Sequence, residues 1–155
     1  MNFKQKSVLF LATGCYVGNL PIAPGTFGSV LGLSLCYFLS KIGLLLAMFL
    51  TIAFILFAMW IAHEAEKVLQ AKDPGCIVID EIAGMILTLI GLPFNMMTII
   101  LGFAMFRGLD IWKPYPIRFL EKKLPGGVGV VMDDVAAGIL SNIILRILLL
   151  EAISK

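Results

Sequence analysis

Two pairs of adjacent carboxylates stand directly against apolar stretches of this sequence: Asp80 with Glu81, and Asp133 with Asp134. Removing an unpaired carboxylate from water costs several kcal/mol, so a cationic group must compensate these side chains. Oxygen ligands that are not accompanied by paired His or Cys favour Mg²⁺ or Mn²⁺ over zinc. The two pairs therefore predict a site for a divalent cation.

The two pairs recur within a short internal repeat. The segment DEIAGMIL at residues 80–87 aligns with DDVAAGIL at residues 133–140, with most positions identical or similar. We expect each copy to place its acids at the start of a helix, with small residues behind them that let the two helices pack closely. Helix capping and the macrodipole, worth up to about 1 kcal/mol, would explain a single pair. The recurrence favours metal binding.

Between the two pairs, Arg107, Asp110 and Lys113 recur at three-residue spacing, which would place them on one face of a helix. A cation, a carboxylate and a second cation on one face suit a phosphate that is bridged through a metal ion. Trp112 and Tyr115 are typical of the membrane interface. An interfacial anchor alone explains the aromatic and basic residues of this segment, but it explains Asp110 poorly.

Two glycine-bearing segments, PGTFGS at residues 24–29 and PGGVGV at residues 125–130, are predicted to be loops that lead into helices. Backbone amides in such loops can bind phosphate, and Thr26 or Ser29 could add a hydroxyl. Tight turns and close helix contacts explain each segment equally well. The only histidine, His63, indicates an interfacial polar residue rather than a metal ligand.

Composition indicates the elements that must position these residues. Of the 155 residues, 60% are apolar and only 14% are charged, against about 25% charged in an ordinary soluble domain. The length allows a single domain over residues 1–155. The sequence therefore predicts an all-α fold, a small membrane bundle of about four to five short transmembrane or re-entrant helices with an interfacial acidic site.

The firmest span is Ile42 to Ala62, an apolar run of 21 residues that is long enough to cross about 30 Å of hydrocarbon. Thr26 to Ser40 precedes it, so the two stretches predict a helical hairpin. Ile82 to Phe106 is interrupted at residues 91–95 and predicts two half-length helices, which form either a re-entrant hairpin or two shallow crossings. Val135 to Leu150 predicts the last helix.

With a cytoplasmic amino terminus, this order of helices places every acid except Glu151 at or near one membrane face. Outside the apolar helices, only Lys41 and Lys155 lie on the opposite side, which agrees with the positive-inside rule. The basic residues on the inner side are Lys4, Lys6, Lys67, Lys72, Arg107, Lys113, Arg118, Lys122 and Lys123.

Several functions are excluded by what the sequence lacks. The net charge of +2 is small and dispersed, which argues against a nucleic-acid partner. No arginine stands six positions after any of the three cysteines, so a cysteine phosphatase is excluded. A lone histidine excludes a histidine-nucleophile lipid phosphatase, and no DxDx[TV] motif is present. Metal-assisted attack by water remains, as does an aspartyl nucleophile outside the usual motif.

Two other classes of membrane protein are alternatives. A transferase of the CDP-alcohol type also uses helix-borne aspartates and Mg²⁺, but its DGxxAR motif is missing. A non-enzymatic divalent-cation-binding module or small transporter subunit would place its carboxylates at mid-membrane depth, whereas these are predicted at one face. Nothing in the sequence indicates an obligate protein partner.

Taken together, these motifs resemble the phosphatidylglycerophosphatase A family of bacterial inner membranes. The likeness spans most of the chain and rests on four blocks in the family's order: ATGCYVGNLPIAPGTFGS, DPGCIVIDEIAGM, FRGLDIWKPYPI and LPGGVGVVMDDVAAG. Four matched blocks are far more specific than either glycine segment alone.

The resemblance implies Mg²⁺-dependent hydrolysis of phosphatidylglycerophosphate to phosphatidylglycerol and inorganic phosphate. It further implies a multi-pass protein of the bacterial cytoplasmic membrane whose active site faces the cytoplasm. The implied metal ligands are Asp80, Glu81, Asp110, Asp133 and Asp134. The implied contacts to phosphate or headgroup are Asn19, Thr26, Arg107 and Lys113. The candidates for the carboxylate that orients or deprotonates water are Asp80, Asp110 and Asp133.

Overall fold

The computed structural model describes residues 1–115, 117–124 and 126–153, and within that part it omits the side chains of residues 120–122 and 151–153. Pro125, the first residue of the second glycine segment, and Lys155 lie outside the described residues. The described chain is all-α, as predicted, with one 3₁₀ turn at Val17–Asn19. Its helices are α1 (Phe3–Ala12), α2 (Pro24–Leu39), α3 (Leu44–Leu69), α4 (Ile79–Leu89), α5 (Met96–Trp112), α6 (Ile117–Lys123) and α7 (Gly126–Ile153).

The predicted hairpin is formed by α2 and α3, with Lys41 in the turn between them. Helix α3 does not stop at Ala62 but continues to Leu69. The extra residues include the good helix formers Glu, Ala, Lys and Leu, and Glu64 and Lys67 form an ion pair of 2.6 Å one turn apart. Helix α3 therefore extends beyond its apolar run.

The outward face of α3 is apolar. Leu45, Phe49, Ile52 and Leu56 recur at helical spacing and are 85, 67, 58 and 62% exposed. Contiguous exposed apolar side chains of this kind are typical of a surface that contacts lipid. By length and hydropathy, Leu44–Leu69 and Gly126–Leu150 could cross a membrane, while Pro24–Leu39 is apolar but shorter. The predicted number of four to five helices includes such shorter ones.

The predicted break between two half-length helices is confirmed. Helix α4 ends at Leu89, and α5 begins after Asn95, whose side chain accepts a hydrogen bond from the Thr98 amide at 2.9 Å. A Cβ placed on Gly91 in the turn would lie 3.2 Å from the Leu44 side chain at the start of α3. The α4–α5 turn thus lies at the same end of the bundle as the α2–α3 turn.

The carbonyls at the end of α4 are satisfied from α7. Asn142 donates to the Thr88 and Ile90 carbonyls at 3.0 and 3.1 Å, and Arg146 donates to the Ile90 carbonyl at 3.1 Å. The last carbonyls of a helix have no partner within it, so these side chains stabilise an end that would otherwise be unpaired.

The glycine segments are helical, so the prediction of loops was wrong. Pro24 is the first residue of α2, where its missing N–H costs no hydrogen bond. Helix α7 begins at Gly126, nine residues before the predicted start at Val135. A Cβ on Gly127 would lie 2.2 Å from the backbone nitrogen of His63. Glycine at this position permits α7 to pack directly on the backbone of α3.

The close packing predicted for the two copies of the repeat is confirmed. Helices α4 and α7 cross where a Cβ on Gly138 would lie 2.4 Å from the carbonyl oxygen of Gly84. Helical residues four apart share a face, so Gly84 lies one turn after Asp80 and Gly138 one turn after Asp134. The crossing therefore holds these two acids side by side.

Candidate metal centre

The two acidic pairs have different places in their helices. Asp80 and Glu81 lie in the first turn of α4, as predicted. Asp133 and Asp134 lie inside α7, seven and eight residues after its first residue, Gly126, so the predicted helix start is wrong for this pair. The reason is that α7 continues through the glycine segment. Helix capping consequently cannot account for Asp133 and Asp134.

The Arg107, Asp110 and Lys113 series does not share one helical face as predicted. Arg107 and Asp110 lie on α5, where the guanidinium donates to Asp110 Oδ2 at 2.6 Å. Lys113 follows the end of the helix in a left-handed conformation with φ of +45°. Its ammonium turns to α7 and donates to Asp133 Oδ2 at 2.6 Å. The break at Lys113 thereby connects α5 to the second acidic pair.

The five predicted metal ligands lie together. One group of three comprises Asp80, Glu81 and Asp134, and a second comprises Asp110, Asp133 and Asp134. Within each group, one ligand atom from every residue lies within 4.8 Å of the others. Asp134 belongs to both groups. Two adjacent cation positions that share this carboxylate are compatible with the arrangement.

Burial distinguishes this cluster from an ordinary acidic surface. Asp80, Asp133 and Asp134 are 7, 5 and 3% exposed. Among the described residues, Glu81 Oε2 and Asp133 Oδ1 are buried and accept no hydrogen bond. A buried carboxylate oxygen without a partner is costly, and it is the kind of atom that a cation would satisfy.

The local charges do not balance. Five carboxylates face two cations, since Arg107 lies 3.9 Å from Glu81 Oε1 as well as against Asp110, and Lys113 pairs with Asp133. Asp80 is buried beside Glu81 and Asp134, so these negative charges stand close together with little water around them. Hard oxygen donors with excess negative charge fit Mg²⁺ or a similar divalent ion.

The first turn of α2 borders this cluster. A Cβ on Gly25 would lie 2.1 Å from Glu81 Oε1 and 3.2 Å from an Arg107 nitrogen. Pro24 has no N–H and the Thr26 and Phe27 amides donate to the Ala23 carbonyl, so this helix start offers an anion the Gly25 amide and the macrodipole. Thr26 is the next residue and is partly buried. The sequence pointed to this segment as a possible phosphate contact, but it did not single out Gly25. The only indication in the sequence was a glycine directly after the proline that starts the helix.

Two predicted contacts, Asn19 and Thr26, are not joined to the acids by a described hydrogen bond. Asn19 is exposed on the 3₁₀ turn, and no hydrogen bond between described residues joins Asn19 or Thr26 to the cluster. Ser29 donates to the Gly25 carbonyl at 2.9 Å, so its hydroxyl is used inside α2. The structure thus brings Arg107 and Lys113 to the acids, while Asn19 and Thr26 remain predictions.

We expect Gly25→Ala to impair the centre without unfolding the chain. The new methyl group would meet the end of a flexible side chain, so Glu81 would move rather than the backbone. A changed neighbour that misplaces a metal ligand commonly costs about 10- to 100-fold in metal affinity or activity, and we expect a loss of that size here. Metal titration and thermal unfolding should show weaker binding at nearly unchanged stability. Gly75→Ala, at a position with open space, is the control.

Comparison with known proteins gives a consistent result. The profile of the family described as Phosphatidylglycerophosphatase A matches residues 10–149. Phosphatidylglycerophosphatase A of Escherichia coli K12 is 38% identical over 132 residues, which cover 84% of this chain and 77% of that protein. The Haemophilus influenzae protein of the same name is 35% identical over 136 residues, or 86% of this chain and 83% of that one.

A third relative carries a different name. The putative phosphatidylinositol-3-phosphatase of Bacteroides thetaiotaomicron is 36% identical over 147 residues, which cover 90% of this chain and 91% of that protein. No solved structure matches the chain.

Proposed function

This chain belongs to the phosphatidylglycerophosphatase A family, and on that premise we propose that it is a Mg²⁺-dependent hydrolase of phosphatidylglycerophosphate at the cytoplasmic face of a bacterial membrane. The products would be phosphatidylglycerol and inorganic phosphate. Family membership establishes a phosphatase that acts on a phosphate monoester and is membrane-associated. The metal, the orientation and the multi-pass topology are the parts proposed here.

The observation that carries the proposal is the buried double cluster with Asp134 in common. Its unpartnered atoms, Glu81 Oε2 and Asp133 Oδ1, support a bound cation because no described hydrogen bond satisfies them. When bound, Mg²⁺ supplies charge stabilisation to a phosphoryl group and lowers the pKa of a coordinated water. The ligands proposed to hold it are Asp80, Glu81, Asp110, Asp133 and Asp134.

Around that cluster the chain offers groups that bind and orient a phosphate. The Arg107 guanidinium and Lys113 ammonium are each fixed by a carboxylate, at 2.6 Å in both cases, so little reorganisation is needed for them to face an anionic substrate. The Gly25 amide at the start of α2 adds a donor on the Glu81 side. One of Asp80, Asp110 and Asp133 orients or deprotonates the attacking water.

The charge distribution supports a cytoplasmic site. Within the part of the chain that the structure describes, only Lys41 and Arg146 are basic at the end of the bundle that carries the α2–α3 and α4–α5 turns. The other basic residues lie at the opposite end of the bundle or in the segments next to it. The acids of the cluster lie on that side as well. This asymmetry agrees with the positive-inside rule for a cytoplasmic amino terminus.

Metal removal tests the proposal directly. Purified protein in mixed micelles should release inorganic phosphate from phosphatidylglycerophosphate with Mg²⁺, lose that activity in EDTA, and regain it when Mg²⁺ is restored. The Asp80→Asn, Asp133→Asn double variant should stay inactive in all three conditions. Release that persists in EDTA would contradict the metal assignment. Absence of release from folded protein would instead favour a cation-binding or transport module.

The same assay should include phosphatidylinositol 3-phosphate, because one relative is named for that substrate. Both lipids carry a phosphomonoester on an alcohol headgroup that a phosphodiester joins to diacylglycerol. Faster release from the inositol lipid would keep the reaction class and change the substrate. We expect the glycerol lipid to be preferred, because two relatives are named for it at comparable identity.

A further inference from the structure

A separate cleft opens beside the start of α7. Its volume is about 400 Å³, and its polar lining comes from Lys72, Asp73 and Arg118. The rest of the lining is small or apolar: Leu124, Gly126, Gly129 and Val130. None of these residues belongs to the metal centre, and the proposed reaction assigns them no role.

The cleft lies directly outward of the metal centre along α7. Residues three, four and seven apart share a helical face, so Gly126, Gly129, Val130 and Asp133 follow one another on the same side of α7. Val130 and Asp133 are separated by about one turn, or roughly 5 Å. The floor of the cleft therefore continues into the wall of the acidic cluster.

The metal centre is recessed from the end of the bundle. Gly127 packs against the backbone of His63, where the apolar run of α3 ends. Asp133 is six residues further along α7, about 9 Å inward from that level. A phosphate anion released at the cluster is thus below the apolar boundary, and it needs a polar route to water.

The lining of the cleft suits a small anion. Neither Lys72 nor Arg118 forms an ion pair with a carboxylate whose side chain the structure describes. The amino-terminal end of α7 adds the positive end of a long helix dipole. Two carboxylates oppose this charge: Asp73, and Glu66, whose Oε2 would lie 3.5 Å from a Cβ on Gly126. Glu66 Oε1 already accepts a hydrogen bond from the Asp73 amide at 2.9 Å. The two cations therefore match the two carboxylates in number, and the start of α7 makes the balance positive.

We propose that this cleft is the exit for inorganic phosphate, which binds Lys72 and Arg118 on its way from the metal centre to water. The proposal rests on the phosphatase function above, which supplies the anion. The same cations could instead hold the phosphate of a lipid headgroup. The two sources share their chemistry, so the experiment must distinguish them.

The test compares wild type with the Lys72→Gln, Arg118→Gln double variant in mixed micelles. Inorganic phosphate is added as a product inhibitor during hydrolysis of phosphatidylglycerophosphate. Removing two exposed cations should raise the inhibition constant for phosphate by roughly three- to tenfold. The ratio kcat/KM for the lipid should stay unchanged, because it does not include product release. Asp73→Asn should shift the inhibition constant in the opposite direction.

Lys4→Gln, Lys6→Gln is the matched control, because these substitutions remove the same charge from α1, whose lysines line other hollows than the cleft. If the inhibition constant for phosphate rose equally in the control, the change in net charge would explain the effect, and the proposal would be overturned. A raised KM with an unchanged phosphate constant would assign the cleft to the lipid headgroup and overturn it as well. Calorimetric titration of the protein with inorganic phosphate in EDTA measures binding to the cleft without turnover. If the protein bound phosphate in this way but did not hydrolyse the lipid, the result would contradict the proposed function and not the cleft.

Discussion

Asp134→Asn should lower phosphate release by roughly 10³-fold or more while leaving the protein folded. Asp134 is the only residue common to both groups of three carboxylates, so its loss removes a ligand atom from each possible cation position. The substitution keeps the size of the side chain and removes only its charge. Activity with Mg²⁺ in mixed micelles is the measurement.

Stability separates this prediction from simple unfolding. Asp134 is 3% exposed among five carboxylates and two cations, so removing its charge relieves repulsion when no metal is present. In EDTA the variant should unfold at the same temperature as wild type or higher. Added Mg²⁺ should raise the unfolding temperature of wild type but much less that of the variant, because a ligand stabilises only the state that binds it.

Glu64→Gln is the matched control. Glu64 is a carboxylate at the same end of the bundle, but its partner is Lys67 and it belongs to neither group of three. The control should keep nearly full activity and a normal response to Mg²⁺. If Asp134→Asn retained more than about a tenth of wild-type activity, the shared carboxylate would not be essential and the double site would be wrong.

The carboxylates of the metal centre could be predicted from the sequence, because their apolar neighbours in the chain indicate that they are removed from water at a cost in free energy. Asp80 and Asp133 stand beside apolar residues with no histidine or cysteine partner, and that conflict indicates a ligand whatever the fold. The break at residues 91–95 was predictable for a similar reason, since Gly91 and Pro93 disfavour a continuous helix locally. Signals of this kind depend on the residue and its neighbours in the chain.

Long-range contacts decided the features that sequence reasoning missed. The start of α7 looked like a loop because glycine weakens helices, yet Gly127 is helical where it packs on the backbone of α3. The left-handed turn at Lys113 moves its ammonium from the face of α5 to Asp133, twenty residues away in the chain. Gly25 likewise depends on Glu81, which the sequence does not place beside it. The partner in each case is remote, so local propensity could not reveal it.

Gly138→Ala should both destabilise the protein and reduce its activity. The added methyl would lie 2.4 Å from the carbonyl oxygen of Gly84, and backbone cannot rotate away as a side chain can. Helices α4 and α7 must separate, at a cost of about 1–3 kcal/mol. Because this crossing lies one turn from Asp80 and Asp134, the separation also moves the two acids apart. A displacement of about 1 Å at a catalytic centre can cost roughly 100-fold in rate.

Gly108→Ala is the matched control for Gly138→Ala. Gly108 is also helical, but a Cβ there meets nothing within 4 Å, so alanine should stabilise α5 by up to about 1 kcal/mol through helix propensity. Thermal unfolding and Mg²⁺-dependent release are measured for both variants. Wild-type stability in Gly138→Ala would show that the helices do not approach as closely as described. A centre that spans α4 and α7 should lose activity when these helices separate. If Gly138→Ala were less stable than wild type but fully active, the placement of the acids would not depend on this crossing.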